Sequence, residues 1–164
     1  MTRFKFTGWI TIMIKMSVKP IPDGYHTATP YLVVEGASML IDFLKQAFKA
    51  TEIYRLTRPD GKVGHAEVKI GDSVVMLGDM GGKWKSMPSS IYLYVPDTDE
   101  AYRQALGAGA ISLMEPADQF YGDRSAGVRD PFGNHWFIAT HVEDVPAEEL
   151  ARREQEFLKK EYQS

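Results

Sequence analysis

The strongest constraint on the fold is an internal repeat, in which one order of predicted elements occurs twice along the chain. In both halves, residues 27–79 and 89–141, the pattern predicts a strand, an amphipathic helix and then three strands. A shift of 61 residues brings the turn Gly71-Asp72 onto Phe132-Gly133. Because almost no residue identities accompany this shift, the repeat lies in the architecture rather than in individual side chains.

The predicted elements follow from hydrophobic periodicity and from the turn residues between them. In the first half we predict strands at Ala28–Val34, Thr51–Leu56, Val63–Ile70 and Ser73–Leu77, and a helix over Ala37–Ala50. In the second half we predict strands at Ile91–Val95, Ile111–Met114 and Asn134–Thr140, a helix from Asp97 to about Gly107, and a polar loop, Phe120–Gly127, that leads into a short strand ending at Asp130.

A repeated supersecondary unit indicates that neither half buries its hydrophobic face alone. Two such units place two curved sheets together, which predicts an α+β fold of two βαβββ modules that form a cup-shaped partial barrel. A cavity between repeated halves is a typical site for a small molecule. The repeat therefore favours a protein that handles small organic ligands.

Both ends of the chain are predicted to lie outside the repeat. Residues 1–15 are interpreted as a leader or an appended extension, because the apolar run Trp9–Ile14 is far too short to span a membrane. Met16, followed by Ser-Val-Lys-Pro, resembles a natural start. Residues 145–164 are charge-rich and predict a surface or partner-facing helix. With no other targeting signal, we expect a cytoplasmic protein that does not contact membranes.

Composition limits the chemistry that the chain can perform. There is no cysteine, which excludes disulfides, zinc–thiolate sites, iron–sulfur clusters and a cysteine nucleophile. The net charge of −3, from 19 basic and 22 acidic residues, argues against nucleic-acid binding. Any histidine-based metal site must draw on four residues: His26, His65, His135 and His141.

Three stretches carry a resemblance to a known family. They read TPYLVVEGASMLIDFLKQAF, RPDGKVGHAEVKIGDSVVMLGD and VRDPFGNHWFIATHVEDV. In this order they resemble the glyoxalase/bleomycin-resistance family, which is the vicinal oxygen chelate superfamily, and in particular its PhnB-like branch. The resemblance implies a glyoxalase-like domain over residues 16–144 and a homodimer, which open strand edges also favour. It implies metal-dependent lyases, isomerases and dioxygenases, but also drug-sequestering proteins that bind without reacting.

The resemblance also implies where a metal ion would be held. The superfamily's ligands lie on the first and last strands of each module, which correspond here to Thr29, Met76, Ser90 and Phe137. A catalytic divalent ion prefers imidazole or carboxylate ligands, and none of these residues supplies either group. We therefore expect the usual metal site to be lost, with no metal and no cofactor.

Strand alternation predicts which side chains line the cavity. With the four metal-site positions inward, His135 and Ala139 point inward and Trp136 points toward the helices. On the third strand, the helix side suits Ala66, Val68 and Ile70, which leaves His65, Glu67 and Lys69 toward the cavity. The predicted ligand cavity comprises Thr29, Tyr31, Met76, Ser90, Tyr92, Tyr94 and Phe137. Its aromatic walls suit a flat or amphipathic organic ligand.

Two functional hypotheses follow, and a third has less support. The first is a metal-independent protein that binds a small organic ligand in the aromatic cavity. The second is a lyase, isomerase or dioxygenase with a displaced site around His65, Glu67 and His135, where an imidazole would act as general base or metal ligand. The third is a purely structural interaction protein, which only the charged C-terminal helix favours. His141 is interpreted as a surface residue, and the sequence leaves open whether any reaction is catalysed.

Overall fold

The computed structural model describes residues 18–162, so the predicted leader at residues 1–15 lies outside the described residues. Eight strands and three helices follow one another in this part of the chain. The first module contains β1 (Tyr31–Val34), α1 (Ala37–Phe48), β2 (Thr51–Thr57), β3 (Val63–Ile70) and β4 (Ser73–Asp79). The second contains β5 (Ser90–Tyr94), α2 (Thr98–Gly107), β6 (Ile111–Asp118), β7 (Asp123–Arg129) and β8 (His135–His141), and α3 (Ala147–Tyr162) ends the described chain.

Each module forms its own four-stranded sheet, sheet 1 in the order β1-β4-β3-β2 and sheet 2 in the order β5-β8-β7-β6. The first and last strands of a module pair in parallel, and the other neighbours pair in antiparallel. Tyr31 lies opposite Met76, and Tyr92 lies opposite Phe137. Both residues of the second pair lie 61 positions after those of the first, so the predicted repeat and the α+β fold of two βαβββ modules are confirmed.

The hydrophobic core lies between the helices and the faces of the sheets that they cover. Leu40, Leu44 and Trp136 are completely buried there. The rings of Phe48, at the end of α1, and Trp136, on β8, are 5.1 Å apart and join the two modules. Each module therefore buries part of its apolar surface against the other.

The structure corrects several predicted boundaries. β1 begins at Tyr31 rather than at residue 28, because Pro30 has no N–H group to donate to a neighbouring strand. β6 continues to Asp118 with two irregularities in its pairing, and Pro116 is tolerated because this strand is at the sheet edge. The predicted polar loop 120–127 is wrong beyond Gly122, since β7 begins at Asp123 with buried polar residues.

The predicted helix start in the second module is confirmed at atomic detail. Asp97 is the N-cap of α2, and its carboxylate accepts a hydrogen bond of 2.9 Å from the backbone N–H of Glu100. In residues 18–162 no helix is both long enough and apolar enough to cross a membrane.

Candidate functional site

The face of each sheet that α1 and α2 leave uncovered, here called the open face, carries the predicted site residues. On sheet 1, Ala66 and Val68 are fully buried on the helix side, as alternation predicts. Between them, Glu67 pairs with Met76 on β4 and with Tyr54 on β2. Since Met76 in turn pairs with Tyr31, one row of side chains crosses all four strands of the open face.

A hydrogen-bonded group, here called the Glu67 cluster, is centred on Glu67 in this row. It consists of Tyr25, Tyr31, His65 and Glu67. The Tyr25 hydroxyl donates to Glu67 Oε2, and His65 Nε2 lies 3.1 Å from Glu67 Oε1. His65 Nδ1 is 3.4 Å from the Tyr31 hydroxyl, and the two rings stack at 5.6 Å. The sequence predicted that His65 and Glu67 share a face but missed Tyr25, which precedes the first strand.

The Glu67 carboxylate stays ionised in this setting. Its side chain is only 14% exposed. Hydrogen bonds from Tyr25 and then from His65 outweigh the effect of burial and lower the pKa of Glu67 below its usual range. The same contact raises the pKa of Tyr25, so its hydroxyl remains a proton donor. The cluster therefore presents a negative charge on the open face of sheet 1.

A cavity of about 420 Å³ opens directly beside this charge. It lies between the segment 20–29, which precedes β1, and the strands β3 and β4. Its lining comprises Pro20, Ile21, Pro22, Tyr25, His26, Thr27, Thr29, Glu67 and Met76. Thr29 and Met76, two of the predicted cavity residues, thus share a cavity with Glu67.

On sheet 2, aromatic rings cover the equivalent positions. The rings of Tyr92 and Tyr94 lie 5.3 Å apart, and Phe137 stacks on Tyr92 at 6.3 Å. Gly127 on β7 pairs with Phe137. Tyr92 is 46% exposed and Tyr94 is 64% exposed, so this aromatic surface is open to solvent.

A second polar group, here called the Asp123 cluster, backs these rings and was not predicted from the sequence. Asp123 is 4% exposed. Its carboxylate accepts hydrogen bonds from the hydroxyl groups of Tyr94, at 2.9 Å, and Tyr92, at 3.5 Å. His141 Nδ1 lies 2.8 Å from the other oxygen. The sequence pattern around Asp123 predicts a polar loop, so it gives no sign that this residue is buried beneath the tyrosines.

Protonation in the Asp123 cluster follows from these contacts. Hydrogen bonding to Asp123 raises the pKa of Tyr94. Burial, followed by hydrogen bonding to Tyr121, raises the pKa of Tyr92. The pKa of His141 is raised by its hydrogen bonds to two carboxylates, with the larger effect from Asp144 and the smaller from Asp123. Nε2 of the ring contacts Asp144, and Nδ1 contacts Asp123. His141 is thus at the surface, as predicted, but is fixed between two carboxylates.

The remaining candidates lie apart from the Glu67 cluster. His135 is on β8, opposite Ser90 on β5, in sheet 2, whereas His65 and Glu67 are in sheet 1. Among residues 18–162, no three histidine, aspartate or glutamate side chains come together to hold a metal ion. The structure therefore joins His65 with Glu67 but does not bring His135 to them within one described chain.

Comparison with known proteins decides the family. The model of the Glyoxalase/Bleomycin resistance protein/Dioxygenase superfamily matches residues 25–138. The chain belongs to this superfamily. The chain is also similar to the protein Mb0911c from Mycobacterium bovis, with 40% identity over 133 residues, which is 74% of this chain and 88% of that protein.

Solved structures support the glyoxalase-like fold. TioX from Micromonospora has a TM-score of 0.58 at 22% identity, and the alignment covers 70% of this chain and 99% of the TioX chain. A PhnB protein from Bacillus cereus has a TM-score of 0.56 at 17% identity, and the alignment covers 70% of this chain and 99% of the PhnB chain. At these identities the likeness establishes the fold alone.

The residues at the four metal positions that the sequence resemblance predicts do not fit a divalent ion. Thr29 lies before β1, and its hydroxyl donates to the backbone carbonyl of His26 at 3.2 Å. Met76 offers a thioether, and in the second module the corresponding residues are Ser90 and Phe137. Hard and borderline divalent ions need carboxylate or imidazole ligands. This glyoxalase-like protein lacks them at all four positions.

Proposed function

We propose that this protein binds a small organic ligand on the aromatic open faces of its sheets without using a catalytic metal ion. The observation that supports the proposal is that the four predicted metal positions carry no carboxylate or imidazole, while aromatic rings on the same open faces are exposed. Thr29 and Met76 line the 420 Å³ cavity, a volume typical of small-molecule sites. Tyr92 and Phe137 offer a stacked surface on sheet 2. Aromatic rings of this kind favour planar or amphipathic ligands.

Metal analysis of the purified protein, before and after EDTA treatment, tests the metal-independent part. We expect no stoichiometric divalent ion and no change in ligand binding after EDTA. One tightly held nickel, zinc, iron or manganese ion per site would contradict the proposal.

Fluorescence titration against a library of planar aromatic compounds tests the ligand-binding part. Tyr92→Ala and Phe137→Ala should each weaken the binding of a compound on sheet 2, because each removes an aromatic ring on which the compound can stack. Met76→Ala is the matched variant for a compound that binds in the cavity of sheet 1. Unchanged affinity in all three variants would show that the ligand lies elsewhere.

The contact between His65 and Glu67 favours one alternative, an enzyme of the lyase, isomerase or dioxygenase type. An imidazole oriented by a carboxylate is a suitable general base. His65→Gln would then abolish turnover while leaving ligand affinity within about threefold. The enzyme hypothesis requires a substrate to be found among the compounds that bind.

A homodimer belongs to the same proposal. The open faces expose several large apolar residues, including Tyr31, Tyr54 and Leu56 on sheet 1, and association of two copies would cover such surface. Light scattering should give twice the chain mass of 18.5 kDa. A monomer mass at micromolar concentration would contradict this part of the proposal. We also propose a cytoplasmic location, which fractionation of the native cell would test.

A further inference from the structure

The cavity on sheet 1 has an unbalanced charge. Among residues 18–162, its lining contains one acidic side chain, that of Glu67, and one histidine, His26, but no lysine or arginine. By comparison, the carboxylate of Glu52 is paired with two basic side chains, Lys45 and Arg55. In residues 18–162 the ion-pair partner of Glu67 is His65, which carries a charge only when it is protonated. A ligand that enters therefore meets the ionised carboxylate of Glu67.

Within residues 18–162, the hydrogen bonds to the Glu67 carboxylate leave part of its acceptor capacity unused. Its two oxygens together provide about four acceptor positions. Tyr25 uses one on Oε2, and His65 uses one on Oε1. A group with several N–H donors and a positive charge fills the remaining positions better than a hydroxyl does, because charge-assisted hydrogen bonds are roughly twice as strong as neutral ones.

The rest of the lining suits the carbon skeleton of such a ligand. Ile21, Pro22 and Met76 provide apolar surface, and Tyr25 provides an aromatic ring. Aromatic rings attract cations as well as apolar groups, and the thioether of methionine adapts to irregular shapes. By contrast, an anionic ligand would meet the Glu67 carboxylate, and within residues 18–162 the lining offers it no lysine or arginine, only His26.

We infer that the cavity on sheet 1 binds an amphipathic organic ammonium ion, with its protonated amine on Glu67 and its apolar part against Ile21, Pro22 and Met76. This inference rests on the proposed ligand-binding function and names the chemical class of ligand for one of its surfaces. The Glu67 cluster then acts as the charge-recognition element, in which Tyr25 and His65 hold the carboxylate in place.

Three probes of one shape and different charge test the inference: 2-phenylethylammonium, 2-phenylethanol and 3-phenylpropanoate. Amide NMR titration of the full-length protein measures each dissociation constant and locates each probe through the signals of Tyr25, Thr29 and Met76. We expect the ammonium ion to bind at least about tenfold more tightly than the alcohol, and the carboxylate to bind most weakly.

Glu67→Gln keeps the shape and removes the charge. We expect the ammonium ion to lose about tenfold in affinity in this variant and the alcohol to remain unchanged. Glu115→Gln is the matched control, because Glu115 is exposed on β6 and lies outside this cavity. Unchanged amide dispersion and melting temperature in both variants show that they remain folded.

Equal affinities of the ammonium ion and the alcohol, or an ammonium affinity unaffected by Glu67→Gln, would overturn the inference. If the probes nevertheless shift the cavity signals, the proposed binding function still stands and only the ligand class is wrong. If no probe binds at the cavity, the inference fails, and the proposed function is judged separately by its metal analysis and aromatic library.

Discussion

Asp79, the last residue of β4, caps α1 at Gly36, which has no side chain of its own to do so. Asp79 Oδ1 accepts hydrogen bonds from the backbone N–H groups of Gly36, at 2.8 Å, and Ala37, at 3.0 Å. Oδ2 accepts one from Val63 at 2.8 Å. A single carboxylate thus connects the start of the first helix to two strands, and it places a negative charge where the helix dipole favours one.

Asp79→Ala should lower the free energy of unfolding by about 1–3 kcal/mol, because three partly buried N–H groups lose their acceptor. Urea denaturation followed by circular dichroism measures this difference. Asp72→Ala is the control, since Asp72 is highly exposed in a turn and should change stability by less than about 0.5 kcal/mol. Equal effects of the two substitutions would show that the cap contributes little.

Acid should remove the contribution of the same group. Burial alone would raise the pKa of Asp79, but the hydrogen bonds from Ala37, Val63 and Gly36 outweigh burial and lower it. Because the folded pKa lies below the unfolded value of about 3.9, the stabilisation is fully present above that value. It is lost as the pH falls through the lowered folded pKa.

Unfolding measured from about pH 7 to about pH 2 should therefore show a difference between wild type and Asp79→Asn that shrinks below about pH 4. The comparison with Asp79→Asn isolates this carboxylate from the others that titrate in the same range. A difference that stays constant throughout would mean that the ionisation of Asp79 does not stabilise the fold.

These contacts show how far sequence patterns reach in this protein. Alternation correctly placed Glu67 on the open face of sheet 1 and Trp136 in the core, because the period of a strand fixes the side to which each residue points. It could not reveal Asp79 or Asp123, whose partners are distant in sequence and depend on how strands and helices meet. The pairing of Tyr25 with Glu67 spans 42 residues and has no local signal.

Asp130, at which the sequence predicts the end of a strand, also makes several buried hydrogen bonds. Asp130 Oδ1 accepts hydrogen bonds from the backbone N–H groups of Phe132 and Asn134. Oδ2 accepts hydrogen bonds from Asn134 Nδ2, at 2.8 Å, and from Trp136 Nε1, at 2.9 Å. Asp130 is 3% exposed. The turn residue therefore also fixes the indole that joins the two modules.

Asp130→Asn should lower the free energy of unfolding by about 2–4 kcal/mol, because an amide NH₂ group would face donors in a buried site. Thermal or urea denaturation, read by tryptophan fluorescence, gives the measurement. Asp118→Asn, an exposed change of the same type, should have little effect. A loss below about 0.5 kcal/mol for Asp130→Asn would contradict the role assigned to these hydrogen bonds.

The Asp123 cluster predicts a linked change in two titrations. Asp123→Asn should lower the pKa of Tyr94 and that of His141 toward their ordinary values, because both groups bond the same carboxylate. His141 should keep part of its shift, since Asp144 remains in contact with its other ring nitrogen. Ultraviolet difference titration reports the tyrosine, and histidine ring NMR signals report His141.

Asp144→Asn separates the two carboxylates. It should lower the pKa of His141 and leave that of Tyr94 unchanged, because the Tyr94 hydroxyl bonds Asp123. Since folding raises the pKa of His141, its stabilising contribution is complete below about pH 6.5 and is lost as the pH rises through the raised folded value. A Tyr94 titration that moves with Asp144→Asn but not with Asp123→Asn would show that the carboxylate beneath the aromatic surface has been assigned incorrectly.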